Sequence, residues 1–232
     1  MRRTPLYLTL LILFLFTSVQ AQELVRETRR MPEFYGVEFG GIFDVSIEEG
    51  DRYQVDIETS DRILDQIKTE VRDGILHIKL TDDWKWKKKG DHKIRLNIVS
   101  CCFESINVSG AAKLSAETAL SSEKMRLMGS GAAKIDLILD VEKLDVNMSG
   151  AANVNMVGVA SQVQYDLSGA AKIRAYDLRS EAAKVKGSGA ASVHVFVSEY
   201  LTANLSGAGN LNYRGNPEVQ KNVSGVASIS RQ

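Results

Sequence analysis

Four charged residues in the second half of the chain could act together: Asp136, Asp166, Lys172 and Arg174. Carboxylates beside cations are the groups that cleave acidic polysaccharides. The cations hold the sugar carboxylates while a base takes a proton or an acid gives one. A solvated face with interspersed charge is the plainer account of the same four residues. A second candidate is Asp82-Asp83-Trp84-Lys85-Trp86-Lys87-Lys88-Lys89-Gly90, which holds both Trp residues of the chain. Trp84 and Trp86 beside Lys87 could stack on a glycan ring or grip an anionic polymer. A loop tip whose Trp rings lie back on the domain explains them as well.

Other chemistries find little support. The three His residues, His77, His92 and His194, are scattered, with no HExxH pattern and no Cys pairs at zinc spacing. No metal and no cofactor are expected. No nucleophile elbow or phosphate loop occurs. The two Cys are adjacent, Cys101-Cys102, which rules out a disulfide framework. Neighbours on a strand point to opposite faces, so these two are poorly placed to pair with each other, and a strained vicinal disulfide is the less favoured alternative. The alternation of apolar residues slips between Ile98 and Ile106, which predicts a bulge or turn around the pair.

The elements that position these groups announce themselves as a repeat. The phrase Ser168-Gly169-Ala170-Ala171-Lys172-Ile173 returns, with small changes, from Ser109, Ser130, Ser149, Ser188, Ser206 and Ser224. The steps are 21, 19, 19, 20, 18 and 18 residues. A fixed period near twenty marks a stacked array. Five places after each Ser stand Leu114, Ile135, Val154, Ile173, Val193, Leu211 and Ile229, all aliphatic, between columns that are polar. Before the Ser the same alternation runs in reverse, through Ile106, Leu127 and Val146 three places back and Asn107, Asn147 and Asn204 two places back. This is the period of a half-buried strand, so each repeat should supply one strand up to the Ser and another beyond it. Gly follows Ser in every copy and Ala dominates the next two places, as a corner crowded by neighbours about 4.8 Å above and below requires. The expected fold is all-β: a right-handed parallel β-helix with 18–21-residue rungs and a strand-rich N-terminal cap. Propeller blades need about 40 residues, and a leucine-rich consensus is missing. In this frame Asp136, Asp166, Lys172 and Arg174 all fall on outward columns of neighbouring rungs. The repeated Ser reads as corner geometry, not as a nucleophile. Four Asn-x-Ser sequons arise from the Asn column and carry no glycosylation signal of their own.

Residues 1–21 read as a secretory signal peptide, with Arg2 and Arg3, the apolar run Leu6–Phe16 and a small-residue cleavage site at Ala21. No Cys follows the run, which argues against a lipoprotein. Cleavage removes two Arg and no acid, leaving 27 basic residues against 29 acidic ones. That balance suggests neither nucleic acid nor an anionic membrane as partner. No second apolar span appears, so the mature chain is expected to be soluble. Residues 22–103 are strand-rich but less regular. Gly40-Gly41-Ile42-Phe43-Asp44-Val45 is a diverged copy of the phrase and predicts an earlier rung. Asp61 to Glu70 predicts a helical turn capped by Asp61. Asp73-Gly74 predicts a hairpin turn between Lys68–Arg72 and Ile75–Leu80. Residues 104–232 carry the regular repeats and continue the same domain.

The signal peptide, the opening Phe39-Gly40-Gly41-Ile42-Phe43-Asp44-Val45, the hairpin Ile67-Lys68-Thr69-Glu70-Val71-Arg72-Asp73-Gly74 and the serial Ser-Gly-Ala-Ala-Lys-Ile units resemble the bacterial "putative auto-transporter adhesin, head GIN domain" family. That family is a domain of unknown function common in Bacteroidetes. The resemblance spans about residues 34–230. It implies an exported β-helical protein and carries over no catalytic residues. The expected function is non-enzymatic: binding of a glycan or protein at the cell envelope or surface, in the periplasm or outside it, with a homo-oligomer also open. A polysaccharide-acting enzyme and a purely structural module are the alternatives.

Overall fold

The computed structural model describes residues 24–81 and 93–232. The chain forms a parallel β-solenoid of about seven turns. Its regular part begins with β8 (Ser105–Gly110) and β9 (Lys113–Ala116), followed by β10 (Leu120–Gly131), β11 (Lys134–Gly150) and β12 (Asn153–Gly169). Then come β13 (Lys172–Gly189), β14 (Ser192–Gly207), β15 (Asn210–Arg214), β16 (Glu218–Gly225) and β17 (Ser228–Arg231). Each pairs in parallel with the element one turn away, and the Ser-Gly phrases lie in register: Ser149 opposite Ser168, Ser168 opposite Ser188 and Ser188 opposite Ser206.

The expected two strands per turn are one. From β11 to β14 each strand runs unbroken from one Ala pair to the next Ser-Gly, 16 to 18 residues at a time. The chain bends inside the strand and breaks only at the Ala pair. Even there the ladder continues: the Ala170 amide donates to the Gly150 carbonyl at 2.9 Å and the Lys172 amide to the Ala152 carbonyl at 2.8 Å. The glycine is required for two reasons. At Gly169 φ is +95°, and a Cβ placed there would stand 2.7 Å from the Gly150 oxygen of the turn below. The two alanines divide the remaining work. Ala170 faces out and is exposed, while Ala171 turns into the core with 1% of its surface exposed. The aliphatic column Leu114, Ile135, Val154, Ile173, Val193 and Leu211 is buried in one continuous core, and Ile229, its last member, is partly buried against it.

The N-terminal part crosses over itself. Strands β2 (Gly36–Gly41) and β3 (Phe43–Glu49) pair in parallel with β8 and β9, so Gly40-Gly41 does open an earlier rung. Beyond it lies a further turn that comes later in sequence, made of β6 (Ile75–Leu80) against β2 and β7 (Ile94–Ser100) against β3. Antiparallel strands β1 (Leu24–Arg30) and β4 (Gln54–Ser60) cover β7, and β5 (Ile67–Arg72) covers β6 through the Asp73-Gly74 turn. The helix α1 is shorter than expected, Asp61–Leu64, and its cap position is Ser60 instead of Asp61. The strand tendency of Thr69 and Val71 wins beyond it, pairing them with Ile78 and Leu76. No helix among the described residues is long and apolar enough to cross a membrane.

Candidate functional site

The inward column fixes where the charged residues point. Ile173 is fully buried, so its neighbours Lys172 and Arg174 on β13 are thrown outward and both are exposed. Arg174 lies opposite His194 on β14, and His194 opposite Asn212 on β15. Two places beyond Asn212, the Arg214 guanidinium sits 4.1 Å above the Tyr176 ring. The His194 ring meets the same Tyr176 edge-on, centroids 5.1 Å apart at 81°, and its Nε2 lies 3.3 Å from the Ser192 hydroxyl. The result is a patch across three turns that combines Lys172, Arg174 and Arg214 with Tyr176 and His194. Burial, followed by the charges of Lys172, Arg174 and Arg214, lowers the pKa of His194, so the imidazole is neutral at pH 7.

What distinguishes the patch is the gathering of three cations around one tyrosine ring. Several other lysines of the solenoid stand against carboxylates: Lys113 with Asp44, Lys124 with Asp145 and Lys134 with Asp136, each at 3.6 Å, and Lys186 with Asp166 at 3.3 Å. Among the described residues, Lys172, Arg174 and Arg214 form no ion pair with a carboxylate. Arg214 is instead held in place by stacking, which leaves its fork of donors free to meet a planar oxyanion.

The four residues first suggested by spacing are not brought together. Asp136 shares the outward column of Arg174 but stands two turns away, with Asn155 between, and it is paired with Lys134. Asp166 lies on the other side of the Ser168–Ala171 corner. There it accepts a hydrogen bond from the Gln164 amide at 2.6 Å and faces Lys186. It lines an open trough of about 670 Å³ with Asn107, Asn147, Lys186 and Asn204. Lys172 and Arg174 remain together, in company that the spacing did not name. Trp84, Trp86 and Lys87 lie outside the described residues, as does His92. His77 on β6 stands 3.9 Å from Glu38. No group of His, Cys, Asp or Glu that could hold a metal occurs among the described residues.

A second concavity, about 700 Å³, opens between the N-terminal strands. Its lining is acidic, with Glu27, Asp44, Asp56, Glu58 and Glu117 against Arg26 and Arg95. Glu58 takes Arg26 at 2.6 Å and Arg95 at 2.5 Å, which lowers its pKa, and Asp56 accepts from Thr28 and Gln54. With both arginines committed to Glu58, it offers an anionic ligand less than the β13–β15 patch does.

Tyr176, His194 and Arg214 were missed as a group because their column is scrambled. The β13–β14 register shifts between Ala175 and Arg179, so Phe196 faces Arg179 and not Tyr176. The irregularity is anchored by the Ser180 hydroxyl, which donates to the Phe196 carbonyl at 2.6 Å. A count from the Ser stays in phase for six places and fails at eight.

With fold and patch in view, comparison places the chain. A family model described as "Putative auto-transporter adhesin, head GIN domain" matches residues 33–217. The chain belongs to that family. Solved structures of similar fold include a "putative adhesin" from Bacteroides fragilis, 21% identical, with a TM-score of 0.80 over 91% of this chain and 98% of that one. A "putative lipid binding protein" from Parabacteroides distasonis is 16% identical with a TM-score of 0.72, again over 91% and 98%. A "putative adhesin" from the same organism is 21% identical with a TM-score of 0.69 over the same shares. At these identities the likeness shows the fold. No curated protein matches the chain.

Proposed function

We propose that the protein is an exported, non-enzymatic binding module of the cell envelope that holds an acidic glycan against the β13–β15 face. The observation that carries this is the set of three cations without counter-charge around Tyr176 and His194. Arg174 on β13 and Arg214 on β15 stand two strand spacings apart, about 9.6 Å, a step that suits a polymer repeating its own carboxylates. The family name and the names of its structural relatives, adhesins and one lipid-binding protein, agree with a surface binding role. The leader-like residues 1–21 support export. The enzyme alternative is weaker, because Asp136 and Asp166 sit on opposite sides of a corner and each is engaged by a lysine.

A lipid headgroup would meet the same cations, yet a bilayer also needs an apolar anchor. The exposed large apolar residues, Leu24, Tyr35, Val159, Tyr200, Val223 and Val226, do not belong to the patch. Polygalacturonate binding, measured by calorimetry beside neutral dextran, tests the reading. The acidic polymer should bind and dextran should not. Arg174→Glu with Arg214→Glu should weaken it at least about ten-fold, and added salt should do likewise. Lys113→Glu, on the same face but paired with Asp44, should leave it unchanged. No binding by the wild-type protein, or equal binding by the double variant, overturns the proposal.

A further inference from the structure

A second feature, independent of the glycan patch, lies where the N-terminal strands join the solenoid. Strand β7 ends at Ser100, and residues 101–104 form no strand before β8 begins. The rule that strand neighbours point to opposite faces therefore does not hold at Cys101 and Cys102. Both sulfurs lie on one side of the chain, 3.3 Å apart. A disulfide needs about 2.05 Å, so the gap to be closed is small. Cys101 is exposed and Cys102 half-buried. The segment is held at both ends, where the Ser100 hydroxyl donates to the Phe34 carbonyl at 2.6 Å and the Glu104 amide to the Tyr35 carbonyl at 2.7 Å, and Phe103 beside the pair is buried in the core. Tyr53 bridges the site to its surroundings. Its hydroxyl lies 2.9 Å from the Glu33 carboxylate and 3.1 Å from the Cys101 sulfur. The phenol donates its hydrogen bond to the carboxylate, which leaves the phenol oxygen to accept from the Cys101 thiol.

We infer that Cys101 and Cys102 form a vicinal dithiol that closes reversibly to a disulfide by exchange with a disulfide oxidant. Cys101, the accessible thiol, attacks a small-molecule disulfide as its thiolate. It forms a mixed disulfide and expels one thiolate. Cys102 then loses its proton, attacks the Cys101 sulfur and expels the second thiolate. The net change is two S–H bonds lost, one S–S bond formed and one oxidant disulfide reduced to two thiols. Desolvation, and then the hydrogen bond with Cys101, raise the Cys102 pKa to about 11, so ring closure should be the slower step and should quicken as pH rises. The ring through a single peptide bond is strained and the site exposed, and strained exposed disulfides are the easily reduced ones. The pair would thus behave as a redox-responsive clip and not as a permanent staple.

The test is to equilibrate the purified protein in glutathione buffers of rising oxidised fraction, block free thiols with a maleimide and weigh the intact chain. The expected product is a monomer that has lost both alkylatable thiols and two hydrogens and carries no glutathione, restored by excess reduced glutathione. Cys102→Ser should instead stop at a stable glutathione adduct on Cys101. A wild-type chain that accumulates the adduct, forms a disulfide-linked dimer, or keeps both thiols in fully oxidised buffer would overturn the inference.

Discussion

At the scale of single residues, His194 shows how a neutral group is kept among cations. Its pKa is lowered, first by burial and then by Lys172, Arg174 and Arg214. The unfolded chain therefore binds the proton more readily, near the ordinary value of about 6.5. His194 contributes stability that is fully present above that value and is lost as pH falls toward the lowered folded value. Thermal melts across pH 7 to 4 should show an acid-side decline that is shallower in His194→Gln. Identical profiles would mean that the imidazole is not constrained as described. The same residue marks the limit of reading by column. His194, Lys172 and Arg174 were legible as outward positions, because six places from the Ser the strand is still regular. Their partners Tyr176 and Arg214 were not, because a bulge fixed by Ser180 intervenes and no residue type in the sequence announces it.

At the scale of elements, the corner is the most constrained piece of the structure. Gly169→Ala would force a side chain into φ +95° and against the Gly150 carbonyl oxygen 2.7 Å away. Backbone cannot yield as a flexible side chain can, so the substitution should cost about 1–3 kcal/mol, read from urea unfolding. Gly40→Ala makes a useful contrast. Its added Cβ would meet the Ser109 hydroxyl and not backbone, and no positive φ is required there, so it should cost less. The corner was readable from sequence because seven copies repeat the same steric demand. The N-terminal elements were less so. The turn formed by β6 and β7 lies outside β2 and β3 although it follows them in the chain, and pairing between distant segments has no period to reveal it. The two cysteine sulfurs, expected on opposite faces, stand 3.3 Å apart for a related reason. The rule applied to them belongs to strands, and β7 stops one residue before Cys101.

At the scale of the whole molecule, backbone pairing in the regular solenoid joins each turn only to its neighbours, so stability should be graded along the stack. β12 and β13 each have a partner on both sides along their length. Among the described residues, β16 and β17 are paired on one side only, and the inward column there holds Lys221, exposed, where earlier turns hold Val146, Tyr165 and Val185. An inward charge discourages another strand from adding to that edge. Amide hydrogen exchange should be slowest in β11–β13 and fastest in β16–β17. Uniform protection would mean that the turns unfold as one unit and that nearest-neighbour stacking does not describe the molecule.

The in-register pairing of one Ser-Gly-Ala-Ala corner upon the next carries an evolutionary implication. Because Gly150 occupies the same place over Gly131 as Gly169 does over Gly150, the segment between two corners is interchangeable with its neighbours. Duplicating or excising a whole segment leaves the corner hydrogen bonds and the column of small residues with equivalent partners. The length of the stack can then change in discrete increments of one strand spacing, about 4.8 Å, without a new fold having to be found. Slipped recombination within such a gene would be selected as a length adjustment rather than discarded as damage.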